Sequence, residues 1–513
     1  MAKMKISNFT GFAIALAGIA IGALLTLNVQ KTIERKRGLR TEYQDWRKLN
    51  LILQKVDENY VDVVDRQKVT DAAVVAALAQ LDPHSVYLPP QELEESETNL
   101  AGGFDGIGIQ FNVPNDTAVV IEVIPGGPSE KVGLQPGDRL LKVDSIVIAG
   151  CKYPQDSMVR RMRGVAGTKV TVTVKRGEEV IPFEITRGKI PQHSVDAAFM
   201  VGDSTAYIRL SKFARTTFKE FSEAAEAMQK QGMRELIFDL RDNSGGYLDQ
   251  ALLLSNAFLE AGDTIVYIHG LHRKREDYLA DGRGTLKDVR LKVLINEGSA
   301  SSSEIFAGAI QDNHRGIIYG RRSFGKGLVQ EPVFFTDGSG IRLTVARFYT
   351  PSGRCIQKPY TPDYAYEVYK RYGEAEMVES DSMKLSKGGI IPDVFVPIDT
   401  TRASDFYLKC NRKATTMRFA SAYFDRHKDE LPAIEDYQQL LRYLDRAQLD
   451  RQFLDYARAK DGLVPKEGEW EESKSYMMTQ IKALIGRYSK LGDNAYYHLY
   501  LQLDDVFAAA IGQ

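Results

Sequence analysis

The chain has 513 residues, 43% apolar and 26% charged, which is globular composition spread over more length than one ordinary hydrophobic core accommodates, so two to four domains are expected. With 67 basic against 68 acidic side chains the formal net charge is −1, and no electrostatic footprint for nucleic acid exists. Cys151, Cys355 and Cys410 are odd in number and far apart, which excludes a disulfide framework and a Cys-x-x-Cys metal site.

The uncharged run Gly11–Leu27, preceded by Lys3 and Lys5, reads as a membrane-targeting segment within residues 1–30, either an uncleaved signal anchor or a cleaved signal peptide. The basic cluster Lys31, Arg35, Lys36, Arg37 and Arg40 behind it leaves the topology open, because the positive-inside rule pulls the other way. From Thr41 to about residue 95, apolar residues at helical spacing (Leu49, Ile52, Val56, then Ala73, Ala77, Leu78) predict two or three short helices. They end at the turn Leu81-Asp82-Pro83-His84-Ser85, and the acidic stretch Gln91–Glu97 is expected to be a solvated connector.

Residues 98–188 change texture to short β-rich runs between Gly and Pro turns, such as Ala118–Ile124 and Val170–Val174. Residues 195–397 alternate strand candidates (Glu235–Leu240, Val289–Ile295, Gly316–Tyr319) with helical stretches, the pattern of parallel pairing through crossovers. Residues 400–513 are aromatic-rich and helical, with Phe419, Tyr423, Tyr437 and Leu440 on apolar faces, and are expected to pack as an appendage on the core or on another subunit. The fold class expected is therefore multidomain α+β: an N-terminal membrane segment and helices, a β module, an α/β core with parallel strands, and a C-terminal helical region.

Gly106-Ile107-Gly108-Ile109 ahead of a β run, then Gly133-Leu134-Gln135-Pro136-Gly137-Asp138 and Arg163-Gly164-Val165-Ala166-Gly167-Thr168, together resemble a PDZ domain. In that fold such a loop turns backbone N–H groups toward a terminal carboxylate while the peptide adds to a sheet edge. The phosphate-binding use of glycine-rich loops fails here, since the third glycine and the following helix are both missing.

After the strand Leu291–Ile295, the serine cluster Ser299–Ser303 opens a helix of small residues, which sets a hydroxyl near unpaired helix N–H groups. That geometry suits a nucleophile; from this stretch alone an N-cap serine is an equal reading. His314 is about 20 Å further along the helix, at about 1.5 Å per residue, too far to serve Ser301 as base. Lys326, flanked by Gly325 and Gly327 and followed by Leu328 and Val329, could have its pKa lowered by desolvation, although most lysines in such turns are solvated.

Ser299-Ala300-Ser301-Ser302-Ser303-Glu304-Ile305, Gln311-Asp312, Phe324-Gly325-Lys326-Gly327 with Gln330, and the upstream Asp239-Leu240-Arg241-Asp242-Asn243-Ser244-Gly245-Gly246 resemble the carboxyl-terminal processing (tail-specific) proteases, which use a Ser/Lys dyad and carry an inserted PDZ domain. The likeness runs from Thr41 to Pro397. It implies a crotonase- or ClpP-like core, Ser301 as nucleophile, Lys326 as general base and Gln330 as the residue that orients it. It further implies an oxyanion hole from the amides of Gly245 or Gly246 and of Ser302, and tail binding by Gly106, Ile107, Gly108 and Ile109. Ser302 stands where alanine is expected. Asp312 is expected to cap or orient local structure. The resemblance implies no metal and no cofactor, protein substrates with apolar C-terminal tails, a homo-oligomer through the N-terminal helices, and a bacterial periplasmic enzyme tethered to the inner membrane. Two other readings stay open: a catalytically inactive PDZ scaffold, and a crotonase-like CoA-ester enzyme.

Overall fold

The computed structural model describes residues 44–100, 102–113, 116–124, 126–360, 388–399 and 404–512. The apolar run Gly11–Leu27 lies outside them, and among the described residues no helix is long and apolar enough to cross a membrane. The chain divides into two compact units, residues 1–81 and 82–513. The first holds α1 (Gln44–Asn59) and α2 (Arg66–Leu78), the latter capped by the Asp65 side chain, which accepts from Lys68 N.

In the second unit the acidic stretch is not a connector. Residues Pro90–Leu100 form a helix, because proline starts it, Glu92 sits favourably in its first turn, and Leu93 buries against the backbone near Gly340.

The β module comes next. Strands β1 (Ile109–Asn112), β2 (Ala118–Val123), β3 (Arg139–Val143), β4 (Lys169–Arg176) and β5 (Glu179–Thr186) pair antiparallel in chain order, with Ile146–Val147 added to β3. Helix α3 (Gln155–Met162) closes its core through Met158 and Met162. Alternation sets the burial of β4: Val170, Val172 and Val174 are buried while the residues between them face outward.

The main sheet contains β6 (Val195–Met200), β7 (Thr205–Leu210), β8 (Glu235–Asp239), β11 (Arg290–Ile295), β12 (Gly316–Gly320) and β15 (Val394–Phe395) in that spatial order. The pairs after the first are parallel, as the alternation of strands and helices predicts, while the first pair is antiparallel, a feature that alternation does not give. Helices α4 (Thr217–Lys230), α5 (Leu248–Asn256) and α6 (Ser302–Asp312) supply the crossovers, and every residue of β8 is buried because both sheet faces are covered. Phe238 of β8 meets Phe221 of α4 and Phe306 of α6 at ring-centroid distances of 5.1 and 5.2 Å, both edge-to-face. A second sheet is built on the hairpins β9 (Thr264–His269)–β10 (Glu276–Leu279) and β13 (Leu328–Phe334)–β14 (Gly340–Tyr349), with Val86–Leu88 at its edge.

The C-terminal region is helical as expected: α7 (Asp405–Arg412), α8 (Thr415–Arg426), α9 (Tyr437–Arg446), α10 (Leu449–Asp461), α11 (Glu469–Gly486), α12 (Asp493–Tyr500) and α13 (Asp505–Ile511). Helices α7–α11 share an aromatic core of their own. The last turns do something more. Leu501, Val506, Phe507 and Ala510 bury against Tyr207, Ile237, Leu294 and Tyr319, so α13 covers a face of the main sheet that would otherwise be wet. The β module is also tied to this region, through an Arg139–Asp425 ion pair at 2.7 Å.

Candidate active site

Strand β11 ends at Ile295, and the chain then makes the turn that delivers Ser301 to the start of α6. Ser301 has φ +53° and ψ −112°, a backbone conformation that L side chains rarely adopt, and such strain is stored where the surroundings over-determine the geometry. Its neighbours show how. Ser299 Oγ donates to Leu240 O at 2.8 Å, Ser302 Oγ to Gly246 O at 3.0 Å, and Ser303 Oγ to Asn243 O at 2.9 Å. The hydroxyls on either side of Ser301 are therefore fasteners that tie this turn to the Asp239–Tyr247 loop. This also accounts for serine at position 302: its hydroxyl has an acceptor, so burying it carries little penalty.

Glu304, one turn into α6, joins Ser301 to Lys326. Its carboxylate is fully buried and accepts from Ser301 N at 2.9 Å, Gly325 N at 2.7 Å, Lys326 N at 2.9 Å and Ser323 Oγ at 2.5 Å. One oxygen, Oε2, takes both the Ser301 and the Lys326 amides, so the two backbones are held no more than two hydrogen-bond lengths apart. Burial pushes the Glu304 carboxyl up from its ordinary value, while the hydrogen bonds from Ser323 and the three amides oppose it. The geometry is that of a carboxylate: every neighbour is a donor, and Ser323 Oγ already accepts from Ile390 N at 2.6 Å. Ser301-x-x-Glu304 is the spacing of a capping box, the signal by which sequence could have assigned Glu304 a part. Replacing Glu304 with Gln is expected to turn an NH₂ toward amides that need an acceptor; kcat should fall about tenfold or more with KM little changed, read by steady-state kinetics.

Lys326 is half-buried, and desolvation, helped by the Arg342 guanidinium, holds its ammonium below the ordinary lysine range against the pull of Glu304 and Asp82. Beside it, His84 is lowered to about 4, first by burial and then by Lys326, so the imidazole is neutral at physiological pH. Gln330 Nε2 donates to His84 O at 2.5 Å, which fixes the Asp82–Ser85 turn against β13. The turn was legible from its proline; its place beside the lysine was not.

The glycine-rich loop approaches Ser301 from the other side. A Cβ on Gly245 (φ +96°) would lie 2.7 Å from Ala300 O and 2.8 Å from Ser301 Cβ, and one on Gly246 (φ +150°) would lie 2.1 Å from Phe213 O. Only glycine fits either place. Asn243 orders the loop: its side chain accepts from Gly245 N at 2.9 Å and donates to Leu210 O at 2.8 Å, and its carbonyl accepts from Ala300 N at 2.9 Å. The amide of Gly245, one of the two alternatives for the oxyanion hole, is thus already engaged within the loop. Among the described residues the amides of Gly246 and of Ser302, the first residue of α6, find no acceptor. Asp312 accepts from Ser352 N at 2.9 Å and pairs with Arg354, a local structural role.

In the β module, the carbonyls of Ile107 and Gly108 accept from Ser129 N and Ile124 N, both at 3.0 Å. Trans peptide planarity then turns the amides of Gly108 and Ile109 to the opposite side. There a cavity of about 770 Å³ opens between β1 and α3, lined by Ile107, Ile109, Phe111, Val159 and Met162, with Asp196 and Lys212 of the core also in its lining.

A strained serine at a strand-to-helix turn, a partly desolvated lysine tied to it, glycine-loop amides and an inserted β module with a groove define a serine-type peptidase with a PDZ domain. Residues 204–366 match Peptidase family S41, and residues 106–186 match the PDZ domain family. A "Probable CtpA-like serine protease" of Staphylococcus epidermidis is 33% identical over 377 residues, covering 72% of this chain and 75% of that one. Its counterpart in Staphylococcus aureus is 32% identical over 373 residues, covering 72% and 74%. The chain belongs to Peptidase family S41. Among solved structures, a photosystem II D1 C-terminal processing protease is similar at 28% identity and a TM-score of 0.37, covering 67% of this chain and 86% of that one. Residues 406–489 match a family of unknown function, DUF8443.

Proposed function

We propose that this peptidase is a tail-directed endopeptidase in which Ser301 is the nucleophile and Lys326 the general base. The observation that carries the reading is the Glu304 clamp, which holds the amides of both residues on one carboxylate oxygen while the hydroxyls of Ser299, Ser302 and Ser303 are committed elsewhere. Neutral Lys326 takes the Ser301 proton, Oγ attacks a peptide carbonyl, and the tetrahedral oxyanion rests on the amides of Gly246 and Ser302. The lysine returns its proton to the leaving amine, and water hydrolyses the acyl-enzyme. Gln330, anchored on His84, keeps β13 and with it the lysine in register.

The groove beside Gly108 and Ile109 supports capture of an apolar C-terminal tail, its carboxylate on the two outward amides and its side chains among Ile107, Phe111 and Met162. With the apolar N-terminal run, the reading extends to a bacterial enzyme of the periplasmic side of the envelope, tethered to the inner membrane, assembled as a homo-oligomer and acting on envelope or misfolded proteins. An unfolded substrate with an apolar C-terminal tail should show at least a tenfold lower KM than the same substrate ending in charged residues, in the presence of chelator as in its absence. Equal KM values would remove the tail-binding role. Binding of tailed protein with no cleavage under any condition would favour the inactive scaffold.

A further inference from the structure

The loop that presents Gly246 begins at Arg241, and Arg241 is not held by the peptidase core alone. Its guanidinium donates through Nε and Nη2 to Asp239 at 2.9 and 2.6 Å and through Nη1 to Asp504 at 2.6 Å. All three side chains are nearly withdrawn from water: Arg241 is 12% exposed, Asp239 0% and Asp504 9%. Asp239 is heavily shared, since it also accepts from Arg209 Nη1 at 3.2 Å and Tyr207 Oη at 2.7 Å. Arg209 has a second carboxylate, Asp196, at 3.7 Å, and its Nη2 donates to Arg241 O at 3.1 Å. Without Asp504, then, the buried Arg241 guanidinium is left with Asp239 alone, a carboxylate it shares with Arg209, and a buried cation that loses a partner drags its backbone toward water.

The residues immediately after Arg241 give that displacement a consequence. Asp242 has φ +61° and turns the backbone, its amide fixed by Asn296 Oδ1 at 2.9 Å. Asn243 then sets the loop against Ala300 and Gly245, and Gly246 comes next. Asp504, for its part, is firmly placed. It caps α13 by accepting from Phe507 N at 3.0 Å, and Phe507 packs edge-to-face on Tyr207 at 5.9 Å. It lies beyond both the peptidase match and the match to the family of unknown function.

We propose that Asp504 is a positioning residue of the peptidase: the C-terminal helical region reaches the catalytic site through the Asp504–Arg241 ion pair, which keeps the loop carrying the Gly246 amide in register with Ser301. This rests on the reading of Gly246 as an oxyanion donor in a Ser301-dependent reaction. It assigns the helical region a part in the chemistry, transmitted across the face of the main sheet by one buried charge.

The test uses the full chain and three variants. Asp504→Asn keeps the helix cap and the shape but removes the charge. It should lower kcat ten- to a hundredfold with KM within twofold, because a misplaced oxyanion donor is felt in the transition state and not in substrate binding. Affinity for a peptide boronic acid, which mimics the tetrahedral state, should fall in parallel. Asp504→Glu, which keeps the charge, should restore most of kcat, and Ser301→Ala should be inactive. Wild-type kcat in Asp504→Asn beside an inactive Ser301→Ala overturns the inference alone. So does a loss of kcat that Asp504→Glu fails to restore, or a rise in KM equal to the fall in kcat. An active Ser301→Ala overturns both the inference and the reading under it. Should Asp504→Asn not fold, Asp504→Ser, which also caps, takes its place with the same outcomes.

Discussion

Ser301→Ala abolishes peptide-bond hydrolysis, with kcat lower by on the order of 10⁴-fold or more, the scale on which removal of an activated serine nucleophile acts. The expectation is specific to this serine. Ser299, Ser302 and Ser303 each give their hydroxyl to a backbone carbonyl of the Asp239–Tyr247 loop, so none can replace it without undoing the loop that would stabilise the oxyanion. Folding should survive the change, since the Ser301 amide, which alanine keeps, is held by Glu304. Ser302→Ala makes the contrast. It removes a fastener and leaves the main-chain donor, so activity should drop by less than about tenfold. Cleavage of an unfolded substrate, followed by gel and by mass of the products, reads both variants. Full activity in Ser301→Ala, or loss in Ser302→Ala equal to it, would move the nucleophile elsewhere.

Lys326→Met is the second large loss, about 10³-fold or more, and the wild-type pH profile carries its signature. Only the neutral amine can take the serine proton, so kcat/KM should rise with pH through the pKa of Lys326 and then level. Burial places that pKa below the ordinary value of about 10.4. Stability has the same sign: between the folded and the unfolded pKa the unfolded chain binds the extra proton, so the folded state gains stability as pH rises through that window. His84, lowered to about 4, is neutral well before this limb begins and contributes nothing to it. Lys326→Arg should be as inactive as Lys326→Met, because a guanidinium does not deprotonate. A profile that is flat through the range, or an active Arg variant, would remove the lysine from proton transfer.

The parts of the site differ in how far sequence could see them. Neither Ser301 nor Lys326 stands out in its own neighbourhood, where a cap and a solvated turn are the ordinary readings. Motif resemblance supplied them together with Gln330 and the glycine pair. Glu304 was within reach, because Ser-x-x-Glu ahead of an apolar run is a capping pattern; what it could not show is that the same carboxylate would also cap the Gly325–Lys326 turn. That Asn243 would engage the Gly245 amide, which leaves Gly246 as the proposed donor, was not legible either, although the two are only two residues apart. Arg241 and Asp504 are 263 residues apart and belong to different regions, so no local pattern joins them. Three of the six main-sheet strands, β8, β11 and β12, were legible from apolar runs; β6, β7 and the short β15 were not singled out. Helix Pro90–Leu100 was missed because its buried Leu93 sits among acids that favour a helix N-terminus as readily as they favour solvent. In the C-terminal region the aromatic faces announced helices, but not that the last of them would seal the main sheet.

The dyad is tested most directly by covalent trapping. Incubated with a fluorophosphonate, the full-length chain should gain one adduct, located by peptide mass spectrometry on Ser301. Labelling should quicken with pH along the same limb as kcat/KM and be slower by orders of magnitude in Lys326→Met. An adduct on another serine, or labelling of Lys326→Met at the wild-type rate, would contradict the Ser301/Lys326 mechanism.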